Sequence, residues 1–179
     1  VWGKLYRRSL IQKSGARFVD LAEIGSYEDG FFNLEVFGKA DRVVYLAAYL
    51  YHYRRDGSSS VTSGYNPRLY DQWQTLYDRM EAIIRSNQLG SEYEAALNNR
   101  IALGILGLGL NITVSTQPMG KKVKDIHRII RQERYRKAYK NLPLNYFPIH
   151  WKLFYGCARH GFAFGVYVLL TVIQRIISR

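Results

Sequence analysis

At 179 residues, 47% of them hydrophobic and 22% charged, the chain is long and apolar enough to fold around a core, which excludes a disordered tail or linker. The formal net charge of +12 is concentrated at one end. Residues 1–120 carry 13 Lys/Arg against 12 Asp/Glu, whereas residues 121–179 carry 13 against only Asp125 and Glu133. A near-neutral body therefore bears a strongly basic tail, which attracts the phosphates of nucleic acid or of anionic lipid.

A single cysteine, Cys157, excludes an internal disulfide and suits a reducing compartment. The sequence opens on Val1 without a signal-peptide pattern, as expected of a fragment of a longer protein. Fifteen tyrosines point to half-wet surfaces, because one end of the side chain is apolar and the other hydrogen-bonds.

In chain order, residues 1–11 (VWGKLYRRSLI) predict a short strand or extended segment leading into one helical turn, broken at Ser14 and Gly15. Phe18 and Leu21 then return to the core. Residues 26–37 (SYEDGFFNLEVF) predict a helix with Ser26 as N-cap, Asp29 at the capping-box position and Gly38 as terminator. Residues 42–53 (RVVYLAAYLYHY) are rich in Val and Tyr and predict two short strands or one bent strand. Residues 54–64 (RRDGSSSVTSG) form a polar loop suited to act as a lid.

Beyond Tyr65 the pattern is helical. Asn66 caps a helix with Pro67 in its first turn and Leu69, Trp73, Leu76, Met80 and Ile83 on one face. Ser91 and Glu94 form a capping box for the next helix, which buries Leu97, Ile101, Ile105 and Leu108. Residues 120–141 predict one basic helix, and residues 151–177 one apolar helix without an acidic residue. The longest uncharged run there, 161–174, is short against the roughly 20 residues a spanning helix needs. With its flanking aromatics it reads as lying in a membrane surface, or else as a core helix completing a bundle.

The pair Glu28–Asp29 is the first place to look for chemistry. Acids in a first helical turn complement the helix dipole by about 0.3–1 kcal/mol, which by itself accounts for them. The alternative reading of an acidic pair wedged between Tyr27 and two phenylalanines is that Asp29 is catalytic. Arg54 and Arg55 suit phosphate oxygens bidentately, or are a solvated pair at a strand end. Trp2 offers a stacking face, or belongs to the core. His52, His127, His150 and His160 are scattered, and no Ser-His-Asp order, Cys-x-x-Cys or His-Glu-x-x-His supports a hydrolase or a zinc site.

Taken in order, KLYRR, then YEDGFF, then YHYRRDGSSS resembles the second half of a family 2 glycosyltransferase catalytic domain. The resemblance covers residues 1–64 and is only compositional beyond. It implies an α/β, incomplete GT-A-like acceptor-side portion followed by an α-helical C-terminal region. The expected divisions are 1–64, a helical extension over 65–141, and a membrane-surface segment over 142–179.

It further implies inverting transfer of a sugar from a nucleotide-sugar donor to a saccharide or lipid-linked acceptor in cell-surface polysaccharide synthesis. In that scheme Asp29 is the general base and Glu28 supports it. Arg54, Arg55, Ser58 and Ser59 face the donor diphosphate or close over it, and Trp2 and Tyr27 face the acceptor. A divalent metal, Mn or Mg, is expected in the complete enzyme, yet the Asp-x-Asp that would hold it is absent from these residues, and no metal ligand is assigned. The implied location is peripheral, on an anionic membrane at its cytoplasmic face, without nucleic acid as partner. The rival readings are a non-catalytic membrane-associated adaptor and a basic nucleic-acid-binding module.

Overall fold

The computed structural model describes residues 3–52 and 64–177. Among the described residues every regular element is helical, and the chain divides into two compact units. The first comprises residues 1–63 and 68–93, the second residues 64–67 and 94–179.

In the first unit, α1 (Arg8–Ser14) ends on Gly15, whose φ of 69° is the left-handed conformation that glycine adopts without strain. The four-residue α2 (Leu21–Ile24) is capped by the Asp20 carboxylate, which accepts from the Ala22 N–H at 2.8 Å. Next come α3 (Glu28–Phe37) and the 18-residue α4 (Leu69–Ser86). One face of α3 buries Phe32 and Val36 with Ala16, under Tyr6, Leu10, Ile11 and Phe37. Along α4, Gln72, Trp73, Leu76, Tyr77, Met80 and Ile84 are buried at helical spacing. Each fully buried apolar side chain contributes roughly 1.5–3 kcal/mol, so the apolar members of this stripe stabilise the unit.

Side chains of α4 also fix the chain that enters α3. The Gln72 amide donates to the Ala22 carbonyl at 3.0 Å, the Trp73 indole N–H donates to Ser26 Oγ at 3.0 Å, and Arg79 pairs with Glu23.

Several sequence expectations are corrected here. The α/β, GT-A-like fold class is overturned: the described residues contain no strand, and residues 42–52 form no regular element. A strand is stable only beside another strand, and none of the described segments offers one. Val43, Tyr45 and Tyr49 accordingly stand 65%, 88% and 104% exposed. Of the short strand or extended segment expected near the start, residues 3–7 form no strand, Arg7 is extended, and α1 begins at Arg8. Ser26 is not the cap of α3: the helix begins one residue later than expected, Tyr27 holds the N-cap position without a side-chain cap bond, and the Ser26 hydroxyl accepts from Trp73. Phe18 and Leu21 are exposed rather than buried.

In the second unit, α5 (Ser91–Thr113) runs from the first unit's last residues and buries Leu97, Ile101, Ile105 and Leu108 as its periodicity predicts. It is long and apolar enough to cross a membrane by length and composition, but its apolar face is spent on the core. Its Gly109 faces the fully buried Leu170 so closely that a Cβ there would overlap the leucine methyls. Asn66 does not cap α4. Its backbone is instead clamped by Asn111, whose Nδ2 donates to the Asn66 carbonyl at 2.8 Å and whose Oδ1 accepts the Asn66 N–H at 2.7 Å.

The single basic helix expected over 120–141 is two, α6 (Met119–Arg131) and α7 (Glu133–Asn141), parted where Gln132 turns extended at ψ 142°. The single apolar helix expected over 151–177 is also two, α8 (Ile149–His160) and α9 (Ala163–Ile177). They are parted at Gly161, whose φ is 76°, and a Cβ added there would lie 2.6 Å from the Arg131 guanidinium. A short 3-10 turn, Leu144–Tyr146, joins α7 to α8. Arg159 of α8 secures the end of α7 by donating to the carbonyls of Tyr139 (2.6 Å) and Leu142 (3.0 Å), which a helix end leaves unpaired.

Candidate functional site at the start of α3

The first turn of α3 presents Glu28 and Asp29, both half-buried. Its entry is unusual. Tyr27 adopts φ 74° and ψ 23°, a left-handed conformation that costs a non-glycine residue roughly 1–2 kcal/mol. The turn folds the Tyr27 ring back over Gly30, into the space a Cβ at that position would occupy. Glycine at 30 is therefore what allows Tyr27, still 39% exposed, to lie beside the acidic pair.

Asp29 and Asn33 are four residues apart and share a face of α3. Tyr6 meets this face. Its hydroxyl donates to Asn33 Oδ1 at 2.6 Å, and its ring packs edge-on to Phe32 and parallel to Phe37. Burial, followed by the negative charge of Asp29, raises the Tyr6 phenol above its ordinary value and keeps it a donor. The result is a carboxylate, a carboxamide and a protonated phenol on one side of a rigid helix. Such a group can orient a hydroxyl and accept its proton.

Of the residues singled out in the sequence, Glu28, Asp29 and Tyr27 come together at this turn. Trp2, Arg54, Arg55, Ser58 and Ser59 lie outside the described residues. His52 lies in the irregular stretch and is exposed. Tyr6 and Asn33 escaped the sequence reading. The i, i+4 relation of Asn33 to Asp29 was available in principle, but the approach of Tyr6 from 27 residues away was not. Among the described residues no cluster of three or more His, Cys, Asp or Glu could hold a metal ion.

No protein-family profile matches the sequence, and no solved structure matches it. It is similar to three bacterial proteins that are glycosyltransferases by name. It is 34% identical over 102 residues to EpsH of Bacillus subtilis (strain 168), covering 57% of this chain and 29% of that protein. It is 29% identical over 157 residues to the "uncharacterized glycosyltransferase EpsJ" of the same organism, covering 87% and 44%. To the glycosyltransferase GlyA of Streptococcus pneumoniae serotype 4 it is 31% identical over 156 residues, covering 81% and 20%. The chain thus spans less than half the length of each relative, and what it shares with all three is likeness to part of a protein named a glycosyltransferase.

Proposed function

We propose that this chain is part of an inverting, family 2-type glycosyltransferase that moves a sugar from a nucleotide-sugar donor to a saccharide or lipid-linked acceptor in cell-surface polysaccharide synthesis. The observation that carries the reading is the Asp29 carboxylate on the face of α3 that Tyr6 and Asn33 share. The similarity to three proteins named glycosyltransferases supports it. In the reaction Asp29 accepts the proton of the acceptor hydroxyl as that oxygen attacks the anomeric carbon. The bond from that carbon to the diphosphate breaks on the opposite face, and the nucleoside diphosphate leaves with the electron pair. General-base help of this kind is worth about 10²–10⁴ in rate.

Glu28 and Tyr27 flank the base, with Tyr27 turned toward the acceptor. Arg54, Arg55, Ser58, Ser59 and Trp2 keep their proposed roles at the donor diphosphate and the acceptor. Any divalent ion would be held by ligands outside the described residues, and no step here depends on it.

The second unit is read as a peripheral anchor on the cytoplasmic face of an anionic membrane. Along α9, Phe164, Val168, Val172 and Ile176 are exposed at four-residue intervals, and α8 exposes Ile149 and Leu153. At 15 residues α9 is about 22 Å long, short of the roughly 30 Å hydrocarbon core, so it suits the surface of a bilayer better than its interior.

The test is Asp29→Asn in the full-length enzyme. Donor binding is expected to persist while transfer falls by about 10²–10⁴. Transfer at the wild-type rate would remove Asp29 from the mechanism and favour a non-catalytic adaptor.

A further inference from the structure

The opposite side of α3 borders an open cleft of about 680 Å³ in the first unit. At about 100° per residue, Phe31 and Glu35 lie roughly 200° around the helix from Asp29 and Asn33, so this cleft is separate from the acidic turn. Its walls carry Arg17, Phe18, Asp20, Glu23, Glu35 and Arg79. Phe18 lies flat on the buried Phe32, with centroids 4.6 Å apart and planes 2° from parallel. More than half of Phe18 is nevertheless exposed, which leaves an apolar platform supported from below. The Glu35 carboxylate accepts a bond from the Arg17 backbone, and burial raises its pKa above the ordinary carboxylate value. Across the cleft Arg79 pairs with Glu23.

Charge narrows the ligand class. Two guanidinium groups, Arg17 and Arg79, face three carboxylates, Asp20, Glu23 and Glu35, so the cleft has no surplus cation to attract phosphate. What remains is an aromatic face beside carboxylate and guanidinium edges, in a volume typical of small-ligand sites. Axial C–H bonds of a pyranose carry partial positive charge and suit the negative face of a phenyl ring. Neighbouring sugar hydroxyls donate to a carboxylate in charge-assisted bonds.

We infer that the cleft between Phe18, Glu35 and Arg79 binds an uncharged pyranoside unit. Phe18 stacks on the sugar face and Glu35 accepts from its hydroxyls. The choice of a saccharide among neutral polyols rests in part on the glycosyltransferase reading; as part of such an enzyme, the cleft would hold a sugar unit of the acceptor at a distance from the reacting end.

The experiment is an amide chemical-shift titration of the full isotopically labelled chain with methyl β-D-glucopyranoside, methyl β-D-galactopyranoside and, separately, inorganic phosphate. An open site predicts a dissociation constant of about a millimolar or weaker for at least one glycoside. Saturating shifts are expected at Arg17, Phe18 and Glu35, with none there from phosphate. Phe18→Ala and the isosteric Glu35→Gln should each weaken binding about tenfold, and Asp29→Asn should leave it unchanged. Because Phe18→Ala also unstacks Phe32, Glu35→Gln decides the matter if the first variant is unfolded. Absence of cleft shifts with both glycosides up to about 0.1 M, equal affinity in Glu35→Gln, or shifts with phosphate instead would each overturn the proposal. Loss of transfer in Asp29→Asn with no glycoside in the cleft would leave the transferase reading standing alone. Cleft binding with undiminished transfer would do the reverse.

Discussion

Tyr6 donates its hydroxyl to Asn33 Oδ1 at 2.6 Å, and this bond joins the segment ahead of α1 to the face of α3 that carries Asp29. Tyr6→Phe keeps the ring contacts with Phe32 and Phe37 and removes only the bond. The expected loss is about 0.5–1.5 kcal/mol in a urea titration, with the fold intact. If Tyr6 helps hold the acceptor side of the site, transfer by the full-length enzyme should fall more than that loss of stability explains.

Glu35 gives a pH dependence of known sign. Its folded-state pKa is raised from 4.5, chiefly by burial, with the Arg17 backbone bond opposing. Between 4.5 and the raised value the folded chain holds more protons than the unfolded one. Its contribution is therefore fully present below 4.5 and is lost as pH rises through the folded value. Glu35→Gln, which cannot titrate, should flatten the stability profile in that interval. Parallel profiles for the two proteins in thermal or urea melts would contradict the assignment.

Gly109 and Leu170 are coupled by close packing. Gly109→Ala gains about 1 kcal/mol of helix propensity but overpacks the fully buried leucine, at a cost of about 1–3 kcal/mol. Leu170→Ala opens a cavity and should cost about 2–5 kcal/mol. The double variant should be more stable than the sum of the single effects predicts, because the added methyl enters the space the leucine leaves. Strict additivity in a double-mutant cycle would show that the two residues do not touch.

The exposed ridge of α9 bears on the membrane proposal. Phe164→Glu and Val168→Glu replace side chains 49% and 44% exposed, so the fold should tolerate both. Sedimentation with anionic vesicles should fall about tenfold or more for each, as expected when a large apolar contact with lipid is lost. Wild-type chain that sediments equally with neutral and anionic vesicles would count against the basic surface as the attracting element.

Periodicity carried much of the helical architecture. The stripes of α4 and α5 are visible in the sequence because a 3.6-residue repeat is a local property, and Trp73, Leu76, Met80, Leu97, Ile101, Ile105 and Leu108 are buried as the pattern requires. What the sequence hid depends on partners. Residues 42–52 have strand propensity, but propensity without a neighbouring strand builds nothing. Ser26 has the chemistry of a cap, yet an indole 47 residues away claims its hydroxyl. The breaks at Gln132 and Gly161 were masked by apolar and basic patterns that run on across them. At the acidic turn, Glu28 and Asp29 were legible as a helix start, whereas Tyr6 arrives through tertiary packing.

Tyr27 sets two demands on one residue against each other. Its φ of 74° is a conformation glycine adopts freely, so Tyr27→Gly would relieve backbone strain while removing the ring that lies over Gly30 beside Asp29. Engineering for heat tolerance at this position would then gain backbone robustness and strip the aromatic ring from the acidic turn in the same step. On the proposal that Tyr27 faces the acceptor, a screen scored on melting temperature alone would select the substitution that a screen scored on acceptor use would discard.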